Sequence, residues 1–152
     1  MITIRLDEDA GIGETILEKV VQATLELAPD TTGDLTVVLS QDRELQRLNR
    51  DFLGKDEPTD VLAFPSGEVD LETGSLYMGD VIISVETAVR QAEQAGHDLL
   101  SEIQLLVVHG TLHLMGFDHG NKLEKDHMWK AQATVLSRLG IDANLVNRTN
   151  GG

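Results

Sequence analysis

Three histidines, His109, His113 and His119, lie close together in the second half of the chain. A separation of four residues is just over one helical turn, about 6 Å of rise, so His109 and His113 share one face of a helix. Gly116 follows, and glycine adopts the left-handed conformation that ends a helix and lets the chain turn back. Three imidazoles that converge on one point, with a fourth position open, are the ligands of a catalytic zinc ion. The spacing therefore predicts a site for one zinc ion.

The ligand type indicates what such a site would do. Neutral imidazoles leave the full charge of the metal to act on a bound water molecule, whose pKa falls to about seven in three-histidine zinc sites. This chemistry supports hydrolysis of a carbonyl compound or a phosphodiester. Imidazole also binds nickel and other divalent transition metals, so the residues do not choose among these ions. The chain has no cysteine, which excludes thiolate zinc sites and disulfides.

The spacing of the histidines equals that of the metzincin protease motif H-E-x-x-H-x-x-G-x-x-H. Gly110, however, stands where those proteases have the glutamate that acts as general base. Asp118 is the nearest carboxylate in sequence that would serve as the catalytic residue. Alternatively, Asp118 orients a metal-binding histidine by accepting a hydrogen bond from it. Gly110 argues against a peptidase, and a metzincin-like hydrolase of peptides or amides stays open as an alternative function.

The composition limits the class of protein. The chain has 152 residues, of which 41% are hydrophobic, and this suits a single core. No apolar run approaches the roughly twenty residues that a membrane helix needs, and the N-terminus lacks the pattern of a signal peptide. We therefore expect a cytoplasmic protein. The net charge of −14 argues against broad, nonspecific binding of nucleic acid, which depends on neutralising phosphates.

The apolar periodicity predicts an α+β fold. We expect a single domain over residues 1–143, with a four-stranded mixed sheet packed on about five helices, and a flexible C-terminal tail over residues 144–152. The predicted third strand ends at Pro65, and a loop follows over residues 66–75. The predicted helix at residues 99–115 is apolar on nearly all sides in its first part, so it should be the buried central helix, and it is the metzincin-like helix that carries the metal ligands.

Basic residues are densest on and just after the helix predicted at residues 41–53. They are Arg43, Arg47, Arg50 and Lys55. Nucleic-acid binding by so acidic a chain needs a local basic groove of this kind. Arg47, Arg50 and Lys55 are therefore our candidate substrate-binding residues. The alternative is an ordinary solvent-exposed helix face whose arginines are neutralised by neighbouring acidic residues.

The histidine stretch resembles the motif of a known family. Residues 109–119, His-Gly-Thr-Leu-His-Leu-Met-Gly-Phe-Asp-His, meet every fixed position of the pattern H-G-x-L-H-L-x-G-[YF]-D-H, which is typical of the YbeY family. Residues 48–49 with 54–65, and residues 79–83, are similar to the second and third blocks of that family. The resemblance extends from about Leu35 to Leu139, with the motifs in the same order.

This resemblance implies a single-strand-specific, metal-dependent endoribonuclease that acts in 3′-end maturation of small-subunit ribosomal RNA and in ribosome quality control. It implies metal ligation by the three histidines, with single-stranded RNA, ribosomal RNA and the small ribosomal subunit as partners and neither DNA nor a membrane. Leu53 departs from the family, whose members commonly have arginine there, and the missing cation would weaken stabilisation of phosphate charge. A ribosome-assembly factor with a structural metal is a further alternative.

Overall fold

A four-stranded mixed sheet organises the structure, a computed structural model that describes residues 1–31 and 33–141. The strands lie in the order β1-β2-β4-β3, and β3 is therefore an edge strand. β1, β2 and β4 are parallel, whereas β3 pairs antiparallel with β4. The strands are β1 (Ile2–Leu6), β2 (Asp34–Ser40), β3 (Val61–Val69) and β4 (Leu76–Ser84).

Five α-helices and one short 3₁₀ helix accompany these strands within the described part of the chain, and α3, α4 and α5 follow the last strand. The prediction of one α+β domain with a mixed four-stranded sheet and about five helices is thus confirmed. The helices are α1 (Glu14–Leu25), α2 (Asp42–Leu53), α3 (Val85–Ala95), α4 (Leu99–Leu114) and α5 (Lys122–Arg138), and the 3₁₀ helix is Pro29–Thr31.

The helix α4 is the centre of the core. Its residues 105–112 are all buried, and it contacts α1, α3, α5 and the strands β3 and β4. Because alternate residues of a strand point to opposite faces, the sheet has a second apolar layer on the other side. There α2 places Leu45 against Val38, Leu62 and Ile82. The helix that carries His109 and His113 is therefore held between the sheet and three other helices.

The predicted end of the third strand is wrong. β3 continues through Pro65 to Val69, and β4 begins at Leu76, so residues 66–69 of the predicted loop belong to a strand of a hairpin. Proline is tolerated at this position because β3 is an edge strand, and the register shifts between Pro65 and Glu68. The tight turn of the hairpin is confined to residues 70–75.

The predicted domain boundary at residue 143 and the tail over residues 144–152 lie outside the described residues. Among the helices of residues 1–31 and 33–141, none has the length and apolar character that crossing a membrane requires.

Candidate metal centre

The three histidines converge at the C-terminal end of α4. The Nε2 atoms of His109 and His113 are 3.2 Å apart, as expected for two side chains one turn apart on the same face. After α4 ends, Gly116 has a φ of 103°, in the left-handed region that the sequence predicted for it. The turn brings His119 back, so that one nitrogen from each of the three rings lies within 4.8 Å of the others.

The positions of these nitrogens fit a metal ion. Zinc binds imidazole nitrogen at about 2.0–2.1 Å, which places two tetrahedral ligand atoms about 3.3 Å apart. The Nε2 atoms of His109 and His113 are already at 3.2 Å, and His119 comes from a loop that follows the helix. Within the described residues, this is the one group of three or more metal-binding side chains that lies so close together.

Gln132 is a site residue that the sequence analysis missed. It lies on α5, is fully buried, and its Oε1 accepts a hydrogen bond of 2.5 Å from Nδ1 of His109. With the proton on Nδ1, the lone pair of the ring is on Nε2, which faces His113. The sequence does contain one indication of this role. Gln132 is a polar residue within the apolar stripe of α5, four positions after Met128 and three before Val135.

Trp129, also on α5, forms an aromatic wall beside the cluster. Its ring centroid lies 5.7 Å from that of His109 and 6.0 Å from that of His119, both in edge-to-face geometry. The ammonium group of Lys125 lies 5.8 Å from the centre of the same indole. Two residues of α5 therefore hold the histidine cluster in place, because Trp129 packs against two rings and Gln132 orients one.

The electrostatics of the cluster favour the neutral form of His113. Burial, followed by the nearby imidazoles of His109 and His119, lowers the pKa of His113 from 6.5 to about 4. The carboxylate of Asp118 acts in the opposite direction but does not outweigh these effects. At neutral pH, His113 therefore presents an unprotonated nitrogen, which is the form that binds a metal.

Asp118 lies beside the cluster, but within the described part of the chain its carboxylate makes no hydrogen bond to a histidine ring. Its Oδ1 accepts a hydrogen bond of 2.7 Å from the backbone N–H of His119. The carboxylate thereby fixes the backbone of the loop that carries the third ligand. A cavity of about 250 Å³ adjoins it, lined also by Phe117, Glu124 and His127.

The close packing of α4 on the sheet requires a glycine at position 110. A Cβ atom at this position would lie 2.5 Å from Cγ1 of Val81 and 3.4 Å from Cγ2 of Val61. The position after the first histidine therefore faces the sheet at close range, and it leaves no room for the glutamate that metzincin proteases have there. The absence of that general base follows from how α4 sits on the sheet.

The basic residues of α2 are partly neutralised. Arg47 forms ion pairs with Glu44 at 2.5 Å and with Asp51 at 3.7 Å, and Arg50 pairs with Asp51 at 3.1 Å. Exposed pairs of this kind contribute little stability, but they reduce the charge that a phosphate would meet. This arrangement agrees with the alternative interpretation, in which these two arginines lie on an ordinary solvent-exposed helix face and are neutralised by neighbouring acidic residues.

Lys55 differs from Arg47 and Arg50, because it makes no ion pair with any residue in the described part of the chain. It lines a cavity of about 430 Å³ between α2, α3 and the start of β3, together with Asn49, Leu53 and Arg90. Leu53, the position at which the sequence departs from the YbeY motif, is thus beside Lys55. The three histidines do not line this cavity.

Comparison with known proteins shows to which family the chain belongs. The family described as Endoribonuclease YbeY matches residues 4–140 of the chain. The chain belongs to the YbeY family. Endoribonuclease YbeY of Bacillus licheniformis is 38% identical over 133 residues, which cover 82% of this chain and 84% of that protein. Endoribonuclease YbeY of Carboxydothermus hydrogenoformans is 37% identical, over 90% of this chain and 95% of that protein.

The chain is also similar to a longer plant protein and to a protein of known structure. The chloroplastic Endoribonuclease YBEY of Arabidopsis thaliana is 44% identical over 72% of this chain, which covers 19% of the plant protein. The solution structure of TM1509 from Thermotoga maritima superposes with a TM-score of 0.60, at 28% identity and over 92% of both chains. The YbeY resemblance that the histidine motif predicted is therefore confirmed.

Proposed function

We propose that this chain is a metal-dependent endoribonuclease that cleaves single-stranded RNA. The observation that carries the proposal is the convergence of His109, His113 and His119 in a chain that belongs to a family of endoribonucleases. We propose further that its substrate is the 3′-end region of small-subunit ribosomal RNA, that it acts in ribosome quality control, and that the small ribosomal subunit is its partner. Within this proposal its location is the cytoplasm, and neither DNA nor a membrane is a partner.

The three histidines are proposed to hold one zinc ion, and nickel or another divalent transition metal would suit the same ligands. Such an ion supplies Lewis-acid chemistry, since it polarises a phosphoryl oxygen and activates a nucleophile at neutral pH. The chain provides the rest of the site. Gln132 keeps the Nε2 lone pair of His109 directed at the metal position, and the pKa of His113 keeps that ligand neutral.

Asp118 has two possible roles in this proposal. Its hydrogen bond to the backbone of His119 supports a positioning role for the third ligand. Its exposed carboxylate, two residues beyond the turn at Gly116, also supports a catalytic role as a proton acceptor. The variant Asp118→Asn separates the two, because the amide oxygen still accepts the backbone hydrogen bond but cannot take up a proton at neutral pH.

Among the candidate substrate-binding residues, Lys55 is proposed to contribute most to phosphate binding. Its ammonium group has no acidic partner among the described residues, whereas Arg47 and Arg50 already have carboxylates beside them. An unpaired cation gains more from a phosphate, because no existing ion pair has to be given up. Arg47 and Arg50 stay in the proposal as weaker contributors to substrate binding.

Gly110 favours the nuclease over the metzincin-like peptidase, because the packing of α4 on the sheet excludes a glutamate at that position. The structural-metal alternative requires a fourth protein ligand that closes the site. The described residues offer three clustered ligands, which supports an open position for chemistry.

The decisive experiment compares the wild type with His113→Ala. Metal content is measured on both purified proteins, and both are then incubated with single-stranded and double-stranded RNA and with casein. We expect about one metal ion per wild-type chain, cleavage of single-stranded RNA alone, and loss of both properties in the variant. The exposed Lys130, which lies outside the cluster, gives the control Lys130→Ala, expected to behave as the wild type.

The possible failures of this experiment have different meanings. Absence of stoichiometric metal in the wild type would refute the proposed centre. Bound metal without RNA cleavage would favour the structural-metal alternative, provided that Leu53→Arg, which restores the family's usual cation, also fails to cleave RNA. Cleavage of casein would favour the peptidase.

A further inference from the structure

The face of α5 that meets the histidines extends from the core to the protein surface. Lys125, Trp129 and Gln132 lie four and then three positions apart, so they share this face of the helix. Gln132 is fully buried, Trp129 is half-buried and Lys125 is exposed. The buried end of the face accepts the hydrogen bond from His109, and the solvent end carries the ammonium group of Lys125.

Lys125 lies close to the histidine cluster. Its Nζ atom is 5.8 Å from the centre of the Trp129 indole, and the centre of the His119 ring is 6.0 Å from the same indole. Because these two lengths meet at the indole, the ammonium group is less than 12 Å from the centre of the His119 ring. The flexible four-carbon stem of an exposed lysine lets the charge move closer to a ligand. A phosphate of an RNA bound at the histidines is therefore within reach of Lys125.

The ammonium group of Lys125 makes no ion pair within the part of the chain that the structure describes. Its recorded contact is with the indole ring of Trp129, and an exposed contact between a cation and an aromatic ring is weak. Binding of a phosphate therefore does not require an existing ion pair to be given up.

The carboxylates beside the histidines make a nearby cation important. A Cβ atom at Gly120 would lie 3.6 Å from Oε2 of Glu124 and 4.0 Å from Oδ2 of Asp118. The two carboxylates thus border the loop that carries His119, and both residues are exposed. They repel an approaching phosphate, since like charges repel. Lys125 directly follows Glu124 and offsets this repulsion.

The basic residues of α2 are separated from the histidines by the sheet. A Cβ atom at Gly110 of α4 would meet Val81, whereas Ile82, the next residue of β4, packs against Leu45 of α2. Successive residues of a strand point to opposite faces, so α4 and α2 cover opposite faces of the sheet. A cation beside the histidine cluster therefore has to come from another element, and α5 carries one.

We propose that Lys125 binds a backbone phosphate of the RNA within one nucleotide of the bond that is cleaved at the histidine cluster. The indole of Trp129 holds the ammonium group beside the cluster before the phosphate arrives. A phosphate contact carries no direct information about sequence, so Lys125 contributes affinity and register for any RNA sequence. The inference rests on the proposed endoribonuclease function and adds a substrate-binding residue on the same side of the sheet as the histidines.

The test combines a protein variant with a neutral linkage in the RNA. Cleavage by the wild type first locates the bond that is cleaved in a labelled single-stranded RNA. Fluorescence anisotropy then measures the dissociation constant of the metal-loaded protein for this RNA and for copies with one uncharged methylphosphonate linkage at each position in turn. The conditions are ones in which a gel shows that the RNA stays intact.

For Lys125→Gln we expect binding of the unmodified RNA to be about 2- to 5-fold weaker, the usual range for one exposed ion pair. With the neutral linkage at the contacted position, the variant and the wild type should bind equally. That position should lie within one nucleotide of the cleaved bond. Lys55→Gln should depend on a different linkage, because Lys55 lines a cavity that the histidines do not line.

Three controls isolate the contact. Lys125→Arg keeps the positive charge and should bind RNA as the wild type does. Lys130→Gln removes a charge from an exposed position on another face of α5 and should leave the dissociation constant close to that of the wild type. Calorimetric titration with zinc should give similar affinities for Lys125→Gln and the wild type, because the substitution alters no histidine.

The outcomes separate this inference from the proposed function. If the wild type cleaves single-stranded RNA but Lys125→Gln binds it as tightly as the wild type does, the phosphate contact is refuted. Weakening by the same factor at every methylphosphonate position also refutes it, because no particular phosphate is then involved. A contacted linkage further than one nucleotide from the cleaved bond refutes the placement beside the histidines. If the wild type neither binds nor cleaves RNA, the proposed function itself fails.

Discussion

The Oε1 atom of Gln132 accepts a hydrogen bond from Nδ1 of His109, although 23 positions separate the two residues and they lie on different helices. Both side chains are fully buried. The contact determines which nitrogen of His109 carries the proton, and hence which nitrogen is free to bind a metal. The orientation of the first ligand is therefore a property of how α5 packs on α4, and not of the histidine motif alone.

Replacement of Gln132 by methionine should weaken metal binding by about 10- to 100-fold, the usual effect of losing the partner that orients a metal-binding histidine. Methionine nearly preserves the volume of the side chain but cannot accept the hydrogen bond from Nδ1. Calorimetric titration of the metal-free protein with zinc measures the effect. Gln91→Met, which changes a half-buried glutamine on α3, is the matched control and should leave zinc affinity unchanged. Equal affinities for the two variants would contradict the role of Gln132.

Replacement of Gly110 by alanine should destabilise the protein by about 1–3 kcal/mol, the usual cost of an added group in a packed core. The new methyl group would stand 2.5 Å from the Cγ1 atom of Val81 and would push α4 away from the sheet. Urea unfolding of the metal-free protein measures the free energy of unfolding. Gly120→Ala is the control, because its Cβ would meet only ordinary contacts, at 3.6 Å or more. The prediction is wrong if both variants unfold at the same urea concentration.

Asp42 should make the stability depend on pH in the acid range. Its carboxylate accepts hydrogen bonds from Ser84, Thr87 and Arg90. Partial burial raises the pKa of Asp42, but these hydrogen bonds lower it by more, so that its pKa is below the ordinary value of 3.8. The unfolded chain therefore binds more protons than the folded chain just below that pH, and the stabilisation from Asp42 is lost as the pH falls.

The variant Asp42→Asn tests this dependence on pH. At pH 7 it should be less stable than the wild type by about 1–3 kcal/mol, since a charged acceptor with several donors is removed. The difference should shrink as the pH falls below about 3.8, where the wild-type carboxylate also becomes neutral. Glu93→Gln, at an exposed position on the same helix as Thr87, should differ little from the wild type at any pH. A constant difference for Asp42→Asn across this range would exclude the proposed role of its charge.

Lys55→Gln should weaken binding of single-stranded RNA more than Arg47→Gln does. Both changes remove one positive charge, but only Arg47 has carboxylates at ion-pair distance. Loss of one phosphate contact should reduce the slope of log affinity against log salt by about 0.7 for a single strand. Titrations at four salt concentrations give this slope for each variant. A larger effect of Arg47→Gln would show that its carboxylate partners release it when RNA binds.

The local features of the site were predictable from the sequence because they depend on neighbouring residues. The four-residue spacing of His109 and His113 determines that they share a face of α4, and Gly116 determines where the chain turns. The caps that Ser84 and Asp98 provide at the starts of α3 and α4 follow from the same short-range rules. Each of these features requires only the geometry of one helix and its ends.

Features that depend on distant packing were not predictable in the same way. Gln132 meets His109 only because α5 lies across α4, and no pattern within either helix specifies that pairing. The sequence suggested that Pro65 ends a strand, because proline cannot donate a ladder hydrogen bond, but an edge position removes that requirement. The sequence indicated, as an alternative, that neighbouring acidic residues neutralise Arg47. Whether they form ion pairs with it depends on side-chain geometry, which the sequence does not specify.

The packing of α5 against the histidines has a consequence for synthesis of the protein. A ribosome translates the three histidines before it reaches Gln132, and α5 is the last helix of the described chain to be made. A nascent or truncated chain that stops before this residue contains every ligand but lacks the acceptor that orients His109. Tight metal binding should therefore appear only when translation has passed through α5, so metal occupancy would report that the polypeptide is complete to that point.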